Sequence, residues 1–180
     1  MTSSPFSRPA PSEYAPYAHA YVSLVPEGDI LSILAAQNKE TLALVRSLPD
    51  GKGAFRYAPD KWSIQELVGH VTDTERIFAS RALRFGRGDA TPLPGFEEND
   101  YVRNSSFGQY SLVDLADGFE SVRRSTLFLF KHMSAEASLR RGKANNVEVS
   151  VRALAYLIAG HELHHMNVLR TRYLADPKTA

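Results

Sequence analysis

Apolar residues recur every three, four or seven positions in four segments of the chain, which is the spacing of one helix face. These segments run over about 29–48, 63–85, 111–133 and 150–173. Ser63 and Glu66 match a capping box at the start of the second segment. The third segment has the most regular seam: Leu112, Leu115, Phe119, Val122, Thr126, Leu129 and Met133. Four long amphipathic helices with few strand signals predict an all-α four-helix bundle.

Three stretches fall outside the helical pattern. Residues 1–28 include prolines at positions 5, 9, 11 and 16, and proline fixes φ and lacks an amide donor. We therefore expect an extended N-terminal arm that lies on the domain. Residues 87–110 are predicted to form a long loop, and Asn145-Asn146 predicts a turn followed by a short extended piece. The predicted domains are the arm, 1–28, and the helical bundle, 29–176.

Composition narrows the function classes. The 180 residues suit one domain, and the net charge of +1 without a massed basic face argues against a nucleic-acid partner. No stretch is apolar enough to span a membrane, and the N-terminus lacks the apolar run of a signal peptide, so we expect a cytoplasmic protein. The absence of cysteine excludes disulfides, thiolate metal sites and cysteine nucleophiles.

Three histidines interrupt stripes that are otherwise apolar. His161 and His165 are four residues apart on the inward stripe of the fourth helix, so they share one face. His70 lies in the middle of the inward stripe of the second helix. A single buried histidine is usually a hydrogen-bonded core residue, but three imidazoles without partners would cost several kcal/mol. A shared divalent cation removes that cost, and the sequence therefore predicts a three-histidine metal site.

Residues 161–165 (HELHH) also satisfy the H-E-x-x-H pattern of zinc proteases, with Glu162 as general base. The downstream ligand of one such class is missing, since position 168 is Val and position 171 is Thr. Peptidase activity is therefore disfavoured, although Glu162 stays a candidate acid–base group. Further candidates to orient a metal ligand or to bind substrate are Asp73, Thr74, His164 and Arg84, with Arg81 and Arg87 also near the long loop. His19 and His132 are expected at the surface.

Several motifs resemble the DinB/YfiT-like metalloenzyme family. They are 61–70 (KWSIQELVGH), 81–85 (RALRF), 89–96 (DATPLPGF) and 159–165 (AGHELHH), and the resemblance extends from about 21 to 173. It implies an up-down-down-up four-helix bundle that often forms homodimers. It also implies that nickel or zinc is bound by one histidine of the second helix and an H-x-x-x-H pair of the fourth, here His70, His161 and His165. Characterised relatives include thiol-dependent S-transferases and a maleylpyruvate isomerase.

These observations favour a metal-dependent enzyme with a small-molecule substrate, either a hydrolase or a thiol-dependent S-transferase. Three histidines leave coordination positions open, and an open metal polarises a substrate oxygen or activates a thiol. Because the chain has no cysteine, any thiol must be an external low-molecular-weight cofactor. Two alternatives stay open, namely a non-catalytic metal-binding or stress-response protein, and a helical interaction module with core histidines.

Overall fold

The computed structural model describes residues 6–175 and contains the four long helices that the apolar periodicity predicts. Seven α-helices lie within these residues: α1 His19–Val22, α2 Ile30–Arg46, α3 Ile64–Gly86, α4 Glu98–Arg103, α5 Leu112–Lys131, α6 Ala135–Leu139 and α7 Val151–Val168. A π-helical segment, Leu169–Tyr173, continues α7. The long helices are α2, α3, α5 and α7, and the predicted all-α four-helix bundle is confirmed.

Each long helix begins at a side chain that satisfies a free backbone N–H group. The oxygens of Asp29, Ser63, Ser111 and Ser150 accept a hydrogen bond from the residue three positions further on. At α3 the capping box predicted from the sequence is present, because the Glu66 carboxylate also accepts from the Ser63 N–H at 2.6 Å. These local signals explain why the predicted and observed helix starts agree within one residue.

The bundle helices pack around two apolar clusters. Both α2 and α3 pack against α5 and α7, so α2 and α3 lie diagonally across the bundle. One cluster is built mainly from α7 and the N-terminal residues, with Phe85 and Phe130 fully buried. The other joins α2, α3, α5 and the end of α7, and it includes Leu67, Phe119 and Met166. Burying each such side chain contributes roughly 1.5–3 kcal/mol, so these clusters hold α3 and α7 together.

The N-terminal residues pack on the bundle, as expected for the arm, but they are not extended throughout. Two 3-10 turns, Pro11–Glu13 and Pro16–Ala18, precede α1. Each turn begins with proline, whose missing N–H is not needed at the first helical position and whose fixed φ suits a helix. The prolines therefore start short helical turns here, where the sequence analysis expected only extended chain.

An ion pair fixes this arm to the start of α7. Glu13 is buried and accepts hydrogen bonds from the Arg152 guanidinium, with Nε at 2.7 Å, and from the Ser150 hydroxyl at 2.7 Å. Burial alone would raise the pKa of Glu13, but these hydrogen bonds outweigh burial and lower the pKa to about 2. The carboxylate therefore stays ionised at neutral pH and holds the arm in place.

The segment predicted as a long loop contains structure of its own and docks on a hairpin. Within 87–110 lie α4 and a 3-10 turn, Phe107–Gln109. Strands β1 (Arg141–Ala144) and β2 (Val147–Ser150) pair antiparallel, and Asn145 and Asn146 form the predicted turn with φ of 50° and 61°. Leu93 joins β1, because its N–H donates to the Lys143 carbonyl at 2.8 Å. The long segment is thus held against the bundle beside α3.

None of the helices within residues 6–175 is both long and apolar enough to cross a bilayer. The first five residues of the predicted arm and the predicted domain end at 176 lie outside the described residues. The homodimer stays a prediction.

Candidate metal centre

The structure brings the three predicted histidines together between α3 and α7. His70 comes from the middle of α3, and His161 and His165 come from successive turns of α7. The Nε2 atom of His161 lies 3.0 Å from Nε2 of His70 and 3.1 Å from Nε2 of His165. One ligand atom from each residue lies within 4.8 Å of the other two. Two nitrogens that bind the same zinc-like ion at ~2.0–2.1 Å are separated by about 3 Å, so this spacing suits a shared cation.

Burial keeps these imidazoles neutral. His70 and His161 are buried and His165 is half-buried. Loss of solvent lowers the pKa of His70 to about 4, that of His165 to about 3, and that of His161 well below its usual value. A neutral imidazole carries one lone pair on nitrogen, which is the form that binds a metal ion. At neutral pH the three side chains therefore present metal-binding atoms to one point.

Aromatic rings surround the cluster. The Trp62 ring centre lies 4.6 Å from that of His70 and 6.3 Å from that of His165. Trp62 is itself held by Tyr173, whose hydroxyl donates to the Trp62 carbonyl at 2.7 Å. On the other side, the Tyr21 ring lies 5.6 Å from the His161 ring. These rings shield the histidines from bulk water, which strengthens electrostatic interactions inside the site.

Two cavities reach the histidine cluster from different sides. One has a volume of about 190 Å³, and its wall includes His161, Phe78, Leu154 and Leu157. The other, of about 280 Å³, is lined by His165, His164, Trp62 and Tyr173 among others. The first cavity is enclosed by the arm, the loop around Phe96 and the hairpin turn at Asn145. The cluster is therefore accessible to small molecules although its imidazoles are largely buried.

Glu162 belongs to a different site. One carboxylate oxygen accepts from the Thr41 hydroxyl at 2.6 Å, and the other accepts from the Arg123 guanidinium at 2.7 Å. Arg123 is fully buried and also forms two hydrogen bonds to Glu75, at 2.8 and 2.7 Å. Both oxygens of Glu162 are thus engaged in an ion-pair network, which does not support the role of general base that the H-E-x-x-H pattern suggested.

The other candidates fall into separate surroundings. Asp73 pairs with Arg76 at 2.7 Å, and Arg84 pairs with Asp89 at 2.6 Å, so each has a partner outside the histidine cluster. Thr74 is buried, and its hydroxyl has no hydrogen-bond partner among residues 6–175. His164 is exposed, and its ring centre lies 5.0 Å from that of His165. His164 is therefore the candidate that lies beside the histidine cluster.

The sequence model of the DinB superfamily matches residues 33–169. The chain belongs to the DinB superfamily. Its fold is similar to that of YfiT from Bacillus subtilis, described as a probable metal-dependent hydrolase with an unusual four-helix bundle topology. The match has a TM-score of 0.67 at 12% sequence identity and covers 91% of this chain and 92% of that chain. No curated protein sequence matches the chain.

Two features of this DinB-superfamily chain were missed by the sequence analysis. The first is the buried Arg123 with its partner Glu75, which the pattern of apolar residues assigned to no core position. The second is Tyr21, which packs on both His161 and His164 from the arm. The available signal for Tyr21 was that the proline-rich arm also contains several tyrosines. No comparable signal distinguishes Arg123 from the exposed Arg124 beside it.

Proposed function

We propose that this chain is a metal-dependent hydrolase that acts on a small molecule at the His70–His161–His165 cluster. The observation that carries the proposal is the convergence of three histidine Nε2 atoms beside a cavity that His161 lines. The description of YfiT, which shares the fold, supports the same class of reaction. The alternative of a non-catalytic metal-binding protein lacks a comparable explanation for the cavity beside His161.

The donor set fits a divalent transition metal. Imidazole nitrogens suit zinc, nickel, copper and iron, whereas magnesium and calcium prefer oxygen ligands. We propose zinc or nickel, held by His70, His161 and His165. A bound ion of this kind would act as a Lewis acid toward a carbonyl or phosphoryl oxygen. The Nε2 atoms of His70 and His165 lie 3.0 and 3.1 Å from that of His161, a spacing that would let all three bind one ion.

The side chains around the histidines would exclude water, bind the substrate and exchange protons with solvent. Trp62 and Tyr21 cover the imidazoles and exclude bulk water. Phe78, Leu154 and Leu157 give the cavity an apolar wall that would hold the body of a substrate against His161. His164, exposed at the edge of the second cavity, is the residue we propose for proton exchange with solvent on that side.

Thiol-dependent S-transfer is the second candidate, and one observation favours it. The histidine cluster is reached by two separate cavities, one beside His161 and one beside His165. A transfer reaction needs room for a donor and an acceptor at the same centre, whereas hydrolysis needs only one organic substrate and water. The chain has no cysteine, so an external low-molecular-weight thiol would occupy one of the two cavities.

Metal content of untagged protein, measured by elemental analysis, tests the proposal. We expect about one divalent ion per chain in the wild type, with loss of the ion in His70→Ala and His165→Ala. His164→Ala is the matched control, because it removes an imidazole from the same turn of α7 that lies outside the cluster. Wild-type protein that neither contains metal nor binds zinc or nickel on titration would refute the metal centre.

Turnover then separates the candidate reactions. The metal-loaded protein should hydrolyse members of an ester and amide panel without added thiol if it is a hydrolase. Activity only in the presence of a thiol such as cysteine or glutathione would favour S-transfer instead. A stoichiometric metal with no turnover in either panel would favour the non-catalytic alternative.

A further inference from the structure

The cavity beside His161 contains one arginine, Arg81, in an unusual setting. Arg81 is half-buried on α3, and its guanidinium carbon lies 5.7 Å from the Phe78 ring centre and 5.9 Å from the Phe96 ring centre. The His161 ring centre lies 6.4 Å from the same Phe78 ring. Because both groups line one cavity and flank one phenylalanine, a small molecule in that cavity can contact both.

Arg81 has no carboxylate partner within residues 6–175. One of its terminal nitrogens donates to the Pro94 carbonyl at 2.9 Å, which leaves most of the five guanidinium N–H groups for a ligand. Its neighbours on α3 differ, because Arg76 pairs with Asp73 and Arg84 pairs with Asp89. Burial lowers the pKa of Arg81, because the charged guanidinium loses contact with solvent and no carboxylate of the described residues pairs with it.

Two charged side chains line the cavity, Arg81 and Glu98. Arg81 attracts an anionic group whereas Glu98 repels one, so an anion in the cavity would bind at the guanidinium. Among the described residues that line this cavity, Arg81 is the only arginine or lysine. One guanidinium neutralises one negative charge, so it matches a monoanion such as a carboxylate, and its planar fork can bind both carboxylate oxygens.

We propose that Arg81 is the specificity-determining residue of the site and binds the carboxylate of a small, largely apolar organic acid. The apolar body of this acid lies against Phe78, and its reacting end lies at His161. This inference rests on the proposed function for the identity of the reacting end. The carboxylate contact itself depends only on Arg81 and the cavity.

Ligand-observed NMR titration with phenylacetate and its neutral counterpart phenylacetamide tests this assignment on the full chain. We expect the wild type to bind phenylacetate about tenfold or more tightly than the amide, because a charge-assisted contact to a desolvated guanidinium favours the anion. Arg81→Gln should remove this preference. Arg81→Lys should retain part of it, since the charge remains but the planar fork is lost.

Arg84→Gln is the matched control, because it removes an arginine of the same helix that Asp89 already neutralises. The preference should persist in this variant. Equal binding of the two probes by the wild type, a preference that survives Arg81→Gln, or equal losses in both variants would overturn the proposal. A thermal melting curve checks that Arg81→Gln is folded, and if it is not, an Arg81→Lys protein with the full wild-type preference for phenylacetate overturns the proposal.

The same titration on chelator-treated protein and on His165→Ala separates this inference from the metal centre. We expect the carboxylate preference to survive in both, because the contact lies at Arg81. Wild-type metal content in Arg81→Gln is also expected. Wild-type protein that prefers phenylacetate but binds neither zinc nor nickel on titration would leave the carboxylate site standing and refute the metal-dependent reaction. A preference that disappears with the metal would show that the metal binds the carboxylate and would overturn the role of Arg81.

Discussion

His161 and Glu162 are neighbours on α7, yet their side chains enter two buried polar clusters of opposite character. Glu162 enters the arginine cluster, which consists of Arg123, Glu75, Glu162 and Thr41 and in which the donors and acceptors are matched. His161 enters the histidine cluster, which consists of His70, His161 and His165 and in which neutral nitrogens face one another at 3.0–3.1 Å. The arginine cluster is satisfied by its own members, whereas the histidine cluster has the set of ligand atoms that suits the cation proposed above.

The two clusters also differ in what encloses them. Arg123 on α5 bonds to the Leu34 carbonyl of α2, to Glu75 of α3 and to Glu162 of α7, so it connects all four bundle helices. The two carboxylates outweigh the effect of burial and raise the pKa of Arg123. The histidine cluster is held by only two bundle helices and is covered by the arm. The arginine cluster therefore fixes the rotation of α7 and, with it, the positions of His161 and His165.

Replacement of Arg123 should give the largest effect on stability. In Arg123→Met two buried carboxylates lose their shared counter-charge, so we expect a loss of about 3–5 kcal/mol in the free energy of unfolding. Urea denaturation of metal-free protein measures this loss. The exposed neighbour is the control, and Arg124→Met should change stability by less than about 0.5 kcal/mol. Equal stabilities of the two variants would show that the arginine cluster is not the structural element inferred here.

An alanine at Gly160 should give a smaller effect, confined to the side of α7 that the arm covers. A Cβ atom there would lie 2.1 Å from the Tyr21 carbonyl oxygen, so the arm backbone must shift. We expect Gly160→Ala to lose about 1–3 kcal/mol and to weaken metal binding, because Tyr21 packs on His161.

Gly118 on α5 is the matched control for Gly160. A Cβ atom at this position meets no atom within 4 Å, so Gly118→Ala should stabilise the helix by up to about 1 kcal/mol through the better helix propensity of alanine. Equal effects of the two substitutions in urea denaturation would contradict the inferred contact between the arm and α7.

The elements that the sequence predicts well are those specified by local patterns. Periodicity and the capping box at Ser63 located the long helices, and the four-residue spacing of His161 and His165 placed them on one face. The turn at Asn145-Asn146 and the extended piece after it were also predicted, but the other short elements were missed because tertiary contacts hold them. Strand β1, for example, pairs with β2 on one side and with Leu93 on the other, and this last contact spans about 50 residues of chain.

The arginine cluster shows a second limit of prediction from the sequence. Most of the predicted α5 seam is buried, but Val122 and Leu129 are only half-buried, and their neighbours Arg123 and Phe130 are the fully buried residues. Because an arginine in a helix is ordinarily exposed, the seam predicted from the apolar pattern contained Val122 rather than Arg123. Its partners Glu75 and Glu162 lie 48 and 39 residues away, and no local spacing links them to Arg123. Only the packed bundle shows that the three charges neutralise one another.

Glu162→Gln should have the smallest effect on stability, and it tests whether Glu162 is a structural residue of the arginine cluster or takes part in the reaction. The amide keeps the shape and one acceptor oxygen, so we expect a loss of about 1 kcal/mol, from a charge-assisted bond that becomes neutral. Glu75→Gln is the matched control, because Glu75 faces the same guanidinium from α3.

Both variants should keep the wild-type metal content and any turnover found in the substrate panels. A general base in the reaction would instead be worth roughly 10²–10⁴-fold in rate. A loss of that size in Glu162→Gln alone would mean that Glu162 leaves Arg123 during the reaction, and the division of α7 into a structural and a functional side would then fail.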